Sequence, residues 1–529
     1  MSQYDPVEKR HQGQYDDHSG KGGDGGRSGR LTWGLRLFGL VTAGLVWLAL
    51  GSAADLTADA RTVAAITTLM AIWWMTEAIP LSATSLLPII LLPSLTGMSV
   101  SDAASPYANS IVFLFLGGFL IAIAMEKWHL HRRIALKTLQ KVGVEPRRIV
   151  LGMMLATAFL SMWVSNTATT LMMVPIGLSI LALVAERGSG SDTARDVTHG
   201  EGTITDRISD PQIQRFGLCL VLAIAWASSM GGLGTLLGSP PNAIVAGYVS
   251  DNLGREIGFL QWMIIGVPLA FTFVFIAWFL MTRVLYRFTL EEIPGGRQMI
   301  DDQVKALGAM SQGEKMVAAV FGGAAFLWVV PGLLAGLIPA LGNFNDTVIA
   351  ILAGVMLFIL PGKGKSTMLL EWKDAEDGLP WGVLLLFGGG LSLASAVGAS
   401  GLDDWFGAQV SILGTLPSIL LVLSITFLIL FLTEVTSNTA TAATFIPVLG
   451  GVAAGIGADP MTLLIPAAFA ATCAFMLPVG TPPNAIVFAT GAVSIRQMAR
   501  GGLVLNLVGV MLITCFVYLL GGLAMGMVF

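Results

Sequence analysis

Apolar runs close to the roughly 20 residues that cross a bilayer recur along this chain from residue 31 to residue 528. They fall at about 31–50, 62–80, 82–97, 108–126, 216–249, 259–283, 314–337, 346–361, 381–398, 461–491 and 503–528. Only 12% of the 529 residues are charged and 54% are hydrophobic, whereas a soluble chain is about a quarter charged. This composition excludes a soluble enzyme and a disordered protein. Net charge is −4, and no basic tract is interleaved with aromatics, so nucleic acid is not an expected partner. Cys219, Cys473 and Cys515 lie singly in apolar segments and form no CxxC or disulfide framework. His129 and His131 form an HxH in a basic segment, where no metal site is expected. The reading is an all-α polytopic membrane protein.

Two further apolar stretches, 149–185 and 414–451, are each about 37 residues long and carry SNTAT near the middle. One helix of that length would overshoot the bilayer; a re-entrant hairpin with the polar patch at its tip fits both features. The charges test this. With the N-terminus cytoplasmic and both stretches as hairpins, only Arg61 and Arg255 of the 29 Lys and Arg fall outside, a strong positive-inside bias. Counting either stretch as a full span reverses everything after it. The expected topology is therefore about 11 spans plus two hairpins, with the C-terminus outside. Residues 129–143 read as a basic amphipathic helix on the cytoplasmic surface, 186–215 as a polar loop, and 1–30 as a disordered cytoplasmic tail without a cleavable signal. The basic loops suit a bacterial-type inner membrane.

The chain also repeats itself. SNTAT occurs at Ser165–Thr169 and Ser437–Thr441, with Pro175 and Pro447 at the same offset. GSPPNAIV at Gly238–Val245 returns as GTPPNAIV at Gly480–Val487. The separations are 272 and 242 positions, and the insert at 186–215 accounts for the difference. Each unit holds five spans, an odd number, so the two face opposite ways. Inverted repeats with discontinuous helices point to a secondary transporter with a mid-membrane site. Pro-Pro removes two backbone donors and breaks a helix. Ser, Thr, Asn and freed carbonyls suit Na+ rather than a transition metal. Helix N-termini attract carboxylates without any Lys or Arg, and two equivalent tips suit a substrate with two anionic ends.

These doubled motifs resemble those of the divalent anion:sodium symporters, over about residues 31–529. The resemblance implies Na+-coupled uptake of dicarboxylates such as succinate, fumarate and malate, by a homodimer with an elevator movement and no organic cofactor. It implies scaffold helices at 31–148 and 284–413, and a transport domain made of 149–283 and 414–529. Carried onto this chain, the first sodium site uses Ser161, Ser165, Asn166 and Gly238, and the second Thr433, Thr436, Asn438 and Gly480. Substrate carboxylates meet Ser165, Asn166, Thr167, Ser437, Asn438 and Thr439, flanked by Ser239, Pro240, Thr481 and Pro482. Glu434 is either a charge beside a cation, a proton-coupling group or a buried structural acid; Glu77 is expected to be structural or interfacial. Within the same fold, a sodium-independent dicarboxylate exchanger and a sulfate or inorganic-anion transporter are the competing readings.

Overall fold

The computed structural model describes residues 29–53, 55–143, 145–189, 210–290, 296–334, 345–364, 367–409 and 414–529. The expected disordered tail, apart from its last two residues, and the expected loop within 190–209 lie outside the described residues.

The chain opens with α1 (Gly29–Ala49), α2 (Ala58–Thr76), α3 (Leu81–Thr84), α4 (Leu87–Leu95), α5 (Val100–Ala104) and α6 (Ser110–Lys127). The apolar stretch expected as one span at 82–97 is broken between α3 and α4, where Ser85 turns its hydroxyl onto Leu81 O at 2.7 Å and Pro88 can begin a new helix but not continue an old one. Then come α7 (Leu130–Val142), α8 (Pro146–Ser161), α9 (Asn166–Ser189), α10 (Pro211–Gly232), α11 (Pro240–Leu253) and α12 (Phe259–Leu280). The middle of the chain forms α13 (Gly296–Ala306), α14 (Gln312–Leu334), α15 (Asp346–Ile359), α16 (Trp372–Gly378), α17 (Trp381–Ser400) and α18 (Leu402–Gln409). The last third is α19 (Ser418–Leu432), α20 (Asn438–Gly455), α21 (Met461–Thr472), α22 (Pro482–Ala489) and α23 (Ile495–Met525). A two-stranded antiparallel ribbon, Pro361–Lys363 with Thr367–Met368, is the departure from an all-α fold among the described residues.

Local chemistry sets the helix starts that matter. Pro sits at the first turn of α8, α10, α11 and α22, where its missing N–H costs nothing. Asp210 accepts from Gln212 N at 2.7 Å to open α10, and Ser494 with Gln497 forms a capping box on α23. Eight described helical segments are long and apolar enough to cross a membrane. Shorter apolar pieces include Asp346–Ile359, Ser418–Leu432 and Met461–Thr472.

Each of the two long apolar stretches is a helix–turn–helix, α8/α9 turning at 162–165 and α19/α20 at 433–437. α10 packs against both α8 and α9, and α21 against both α19 and α20. These two enclosed helices are the centre of the molecule: Phe216 to Gly232 and Met461 to Thr472 are buried without exception. By contrast α1 packs on α2 and leaves Leu37, Phe38, Val41, Leu45 and Leu48 exposed, an apolar surface suited to lipid.

Candidate functional site

Each repeat ends its buried helix in an unwound segment before the Pro-Pro helix begins. In the first, α10 stops at Gly232, a short 3-10 turn covers Leu236–Gly238, and α11 starts at Pro240. In the second, α21 stops at Thr472 and α22 starts at Pro482. The Asn of each P-P-N ties its segment down. Asn242 Nδ2 donates to Gly232 O and Thr235 O at 2.9 and 2.8 Å, and Asn484 Nδ2 to Ala474 O and Leu477 O, both at 3.0 Å. All six positions correspond under the 242-residue offset, so the same two bonds are made twice.

The hairpin tips match in the same way. At the first, the Asn166 amide lies 2.5 Å from Ser161 Oγ. With its nitrogen facing inward it reaches Ser161 Oγ, Ser228 O and Gly238 O at 2.5, 3.1 and 3.3 Å. With its oxygen there instead, four oxygens converge, the kind of cluster a hard monovalent cation fills. At the second tip, Thr433 Oγ1 lies 2.7 Å from Asn438 Oδ1 and 3.2 Å from Ala471 O, and Asn438 Nδ2 donates to Thr472 O at 3.4 Å. Thr436 Oγ1 shares a 2.6 Å contact with Thr441 Oγ1 and donates to Leu432 O at 3.0 Å.

The structure places the remaining expected residues on two kinds of surface. Ser165 is exposed, and Asn166, Thr167, Ser437, Asn438 and Thr439 are half-buried, so the two tips present a polar face. Pro240 is half-buried and Pro482 exposed beside them. Ser165 Oγ accepts from Ala168 N at 3.2 Å, capping α9. Ser239 and Thr481 are buried instead. Ser239 Oγ accepts from Thr472 Oγ1 at 3.1 Å, and Thr481 Oγ1 accepts from Asn484 N at 3.3 Å. Gly238 abuts the first unwound segment closely: a Cβ there would meet Gly232 O at 2.6 Å. Gly480 has more room, with Ala474 Cβ at 3.1 Å and Glu434 O at 3.2 Å from such an atom.

Glu434 is buried and held by N–H donors. Its Oε1 accepts from Phe475 N, Met476 N and Asn506 Nδ2 at 2.7, 3.0 and 2.7 Å, and its Oε2 from Met476 N and Leu477 N at 3.0 and 3.1 Å. Among the described residues none of these partners is charged, so the carboxylate holds the unwound strand through N–H groups alone. Glu77 caps the end of α2 at φ 48° and is exposed. Sequence reasoning missed Ser228, Ala471 and Thr472, which enter through backbone carbonyls and leave no side-chain signal. It also missed Asn506, whose amide in an apolar span was a visible one.

Membrane-length apolar helices around two repeated helix breaks are an architecture suited to membrane transport. Two solved transporters share the fold: the Alcanivorax borkumensis YdaH transporter, with TM-score 0.53 at 13% identity over 80% of this chain and 88% of that one, and Neisseria gonorrhoeae MtrF, with TM-score 0.53 at 11% identity over 91% and 98%. The family model for the sodium:sulfate symporter transmembrane region matches residues 31–526. The chain belongs to this family, the divalent anion:sodium symporters; it is an integral membrane transporter and not an enzyme. Its relatives include the sodium-dependent dicarboxylate transporter SdcS of Staphylococcus saprophyticus, 44% identical over 87% of this chain and 85% of that one. SdcS of Staphylococcus aureus strain MRSA252 is 43% identical over 88% and 86%.

Proposed function

We propose that this protein imports C4-dicarboxylates such as succinate, malate and fumarate by symport with Na+. The observation that carries the reading is the doubled tip: an Asn amide against a hydroxyl and backbone carbonyls, built once from Ser161 and Asn166 and again from Thr433 and Asn438. No Lys or Arg occurs within 149–186, 216–254 or 414–495, so an anion between the tips has bound Na+, helix N-termini and neutral donors to meet it. In this reading the first ion sits among Ser161, Ser165, Asn166 and Gly238, with Asn166 turning its oxygen inward as the ion arrives. The second sits among Thr433, Thr436, Asn438 and Gly480. Substrate carboxylates rest on Ser165, Asn166, Thr167, Ser437, Asn438 and Thr439. The names of the relatives support both the sodium and the dicarboxylate.

The finer architecture follows from the same reading. Eleven crossings are α1, α2, α3–α4, α6, α10–α11, α12, α14, α15, α17, α21–α22 and α23, with α8/α9 and α19/α20 as re-entrant hairpins. The N-terminus is cytoplasmic, the C-terminus outside, and the membrane a bacterial inner membrane. Residues 149–283 and 414–529 move as the transport domain of an elevator, within a homodimer, against the helices of 31–148 and 284–413. Uptake of labelled succinate into proteoliposomes tests the function. Uptake that needs an inward Na+ gradient supports symport; uptake that needs only internal dicarboxylate supports exchange; sulfate uptake without succinate uptake sinks the dicarboxylate reading.

A further inference from the structure

Thr169, the last residue of the first SNTAT, is 1% exposed and its hydroxyl has no partner. The equivalent Thr441 has Thr436 Oγ1 at 2.6 Å, to which it donates while Thr436 donates to Leu432 O, and Ser437 O lies at 3.0 Å. Where the second repeat has Thr436 the first has Val164, so one hydroxyl is missing. Thr169 instead borders a cavity of about 20 Å³, room for one water. Leu160, Val164 and Met172 line it from the hairpin, and Glu126 and His131 from α6 and α7. His131 Nδ1 lies 2.8 Å from Met125 O. A carbonyl only accepts, so Nδ1 carries a proton and the neutral ring keeps Nε2 as an acceptor.

We propose that this cavity is a proton-binding seat between the first hairpin and α6/α7, in which a water bridges Thr169 to His131 and Glu126, and protonation of His131 loosens the hairpin from those helices. The inference rests on the reading that the hairpins move relative to α6 and α7. The elements packed on α7 carry Glu145, Arg147 and Arg148 at the start of α8 and Arg297, Asp301, Asp302 and Lys305 on α13. On the His131 side stand His129, its ring 6.2 Å away, and Arg132, and Glu126 lines the same cavity. Lys127 and Arg133 are committed to Asp374 and Glu314, at 2.6 and 2.7 Å. To the cavity itself the hairpin contributes apolar side chains and one hydroxyl. Burial is the main cause holding the His131 pKa below its ordinary value; the bond to Met125 O opposes it, and the charges of His129 and Arg132 push the same way as burial. The docked hairpin supplies part of that burial, so the imidazole titrates lower when docked than when released. Docking is therefore fully favoured above the ordinary His range near 6.5 and weakens as pH falls through it.

The test uses fumarate, whose carboxyls stay ionised where succinate's begin to titrate, with pH equal on both sides and varied from about 5.5 to 7.5. Wild type should change its maximal rate two- to fivefold across this window, while His131→Asn, which keeps an N–H for Met125 O, should be flat. Thr169→Val, which removes the water's anchor, should reduce the slope. A His131→Asn profile that follows wild type, or a wild type without any slope, overturns the proposal. Wild type without Na+-driven uptake sinks the proposed function instead. In that event, maleimide labelling of Met172→Cys in a Cys515→Ser background still decides. The labelling ratio of the His131 protein to its His131→Asn counterpart should rise as pH falls, and a constant ratio refutes the seat.

Discussion

Asn166 and Asn438 are the residues on which the account depends most. Each places one amide against a hydroxyl five residues before it and against backbone carbonyls of a neighbouring broken helix. Asn166→Ala and Asn438→Ala should each reduce Na+-driven uptake at least a hundredfold while leaving the purified protein monodisperse; full activity in both would place the site elsewhere. Glu434 has a different task. Replacing one carboxylate oxygen by an amide in Glu434→Gln sets N–H against N–H at the 475–477 strand and should cost about 1–3 kcal/mol, read as a lowered unfolding temperature in detergent. An unchanged temperature would show that the strand holds itself. The motif residues that make the tips were legible in the sequence because their pattern occurs twice. The carbonyls of Ser228, Ala471 and Thr472 were not, because any residue type supplies a carbonyl and only the fold aims it. Nor did the sequence separate the buried Ser239 and Thr481 from the half-buried tip residues, since both kinds sit in the same short motifs.

At the scale of elements, the two breaks share a plan but differ in tightness. In the first, Gly238 lies against the backbone of Gly232, which cannot yield; in the second, the nearest atoms to Gly480 stand a few tenths of an ångström further off. Gly238→Ala should therefore be the more damaging substitution, by about 1–3 kcal/mol of overpacking, with uptake largely lost. Gly480→Ala should retain measurable transport at raised Na+. Equal effects in side-by-side uptake assays would contradict this asymmetry. The two helix–turn–helix stretches were predictable because a 37-residue apolar run is too long for one span. The break between α3 and α4 and the ribbon at 361–368 were not, since an apolar run keeps its hydropathy through a proline or serine turn and the ribbon is only a few residues long.

Across the whole molecule, the proposed elevator needs helices that stay in place, and Arg133 shows how one helix is fixed. Its guanidinium binds Glu314 through Nε at 2.7 Å and one terminal nitrogen at 3.2 Å, and also reaches Gly308 O and Leu307 O. Both side chains are under 10% exposed. This clamps α7 to the start of α14. Arg133→Ala leaves Glu314 buried without its counter-charge and should cost about 3–5 kcal/mol, whereas the double change Arg133→Met with Glu314→Met should recover much of it. Thermal stability of the three proteins in one detergent measures both; a double variant no better than the single would refute the pairing. The central claim is that the two mirrored tips hold Na+ and a dicarboxylate together. Its most direct measurement is equilibrium binding of succinate to the purified protein over a range of Na+ at constant ionic strength, with K+ as the replacement ion. Linkage requires succinate affinity to rise with Na+ and, reciprocally, Na+ affinity to rise with succinate, and Asn166→Ala should abolish both dependences. Succinate binding that is equally tight in K+ alone would contradict the account.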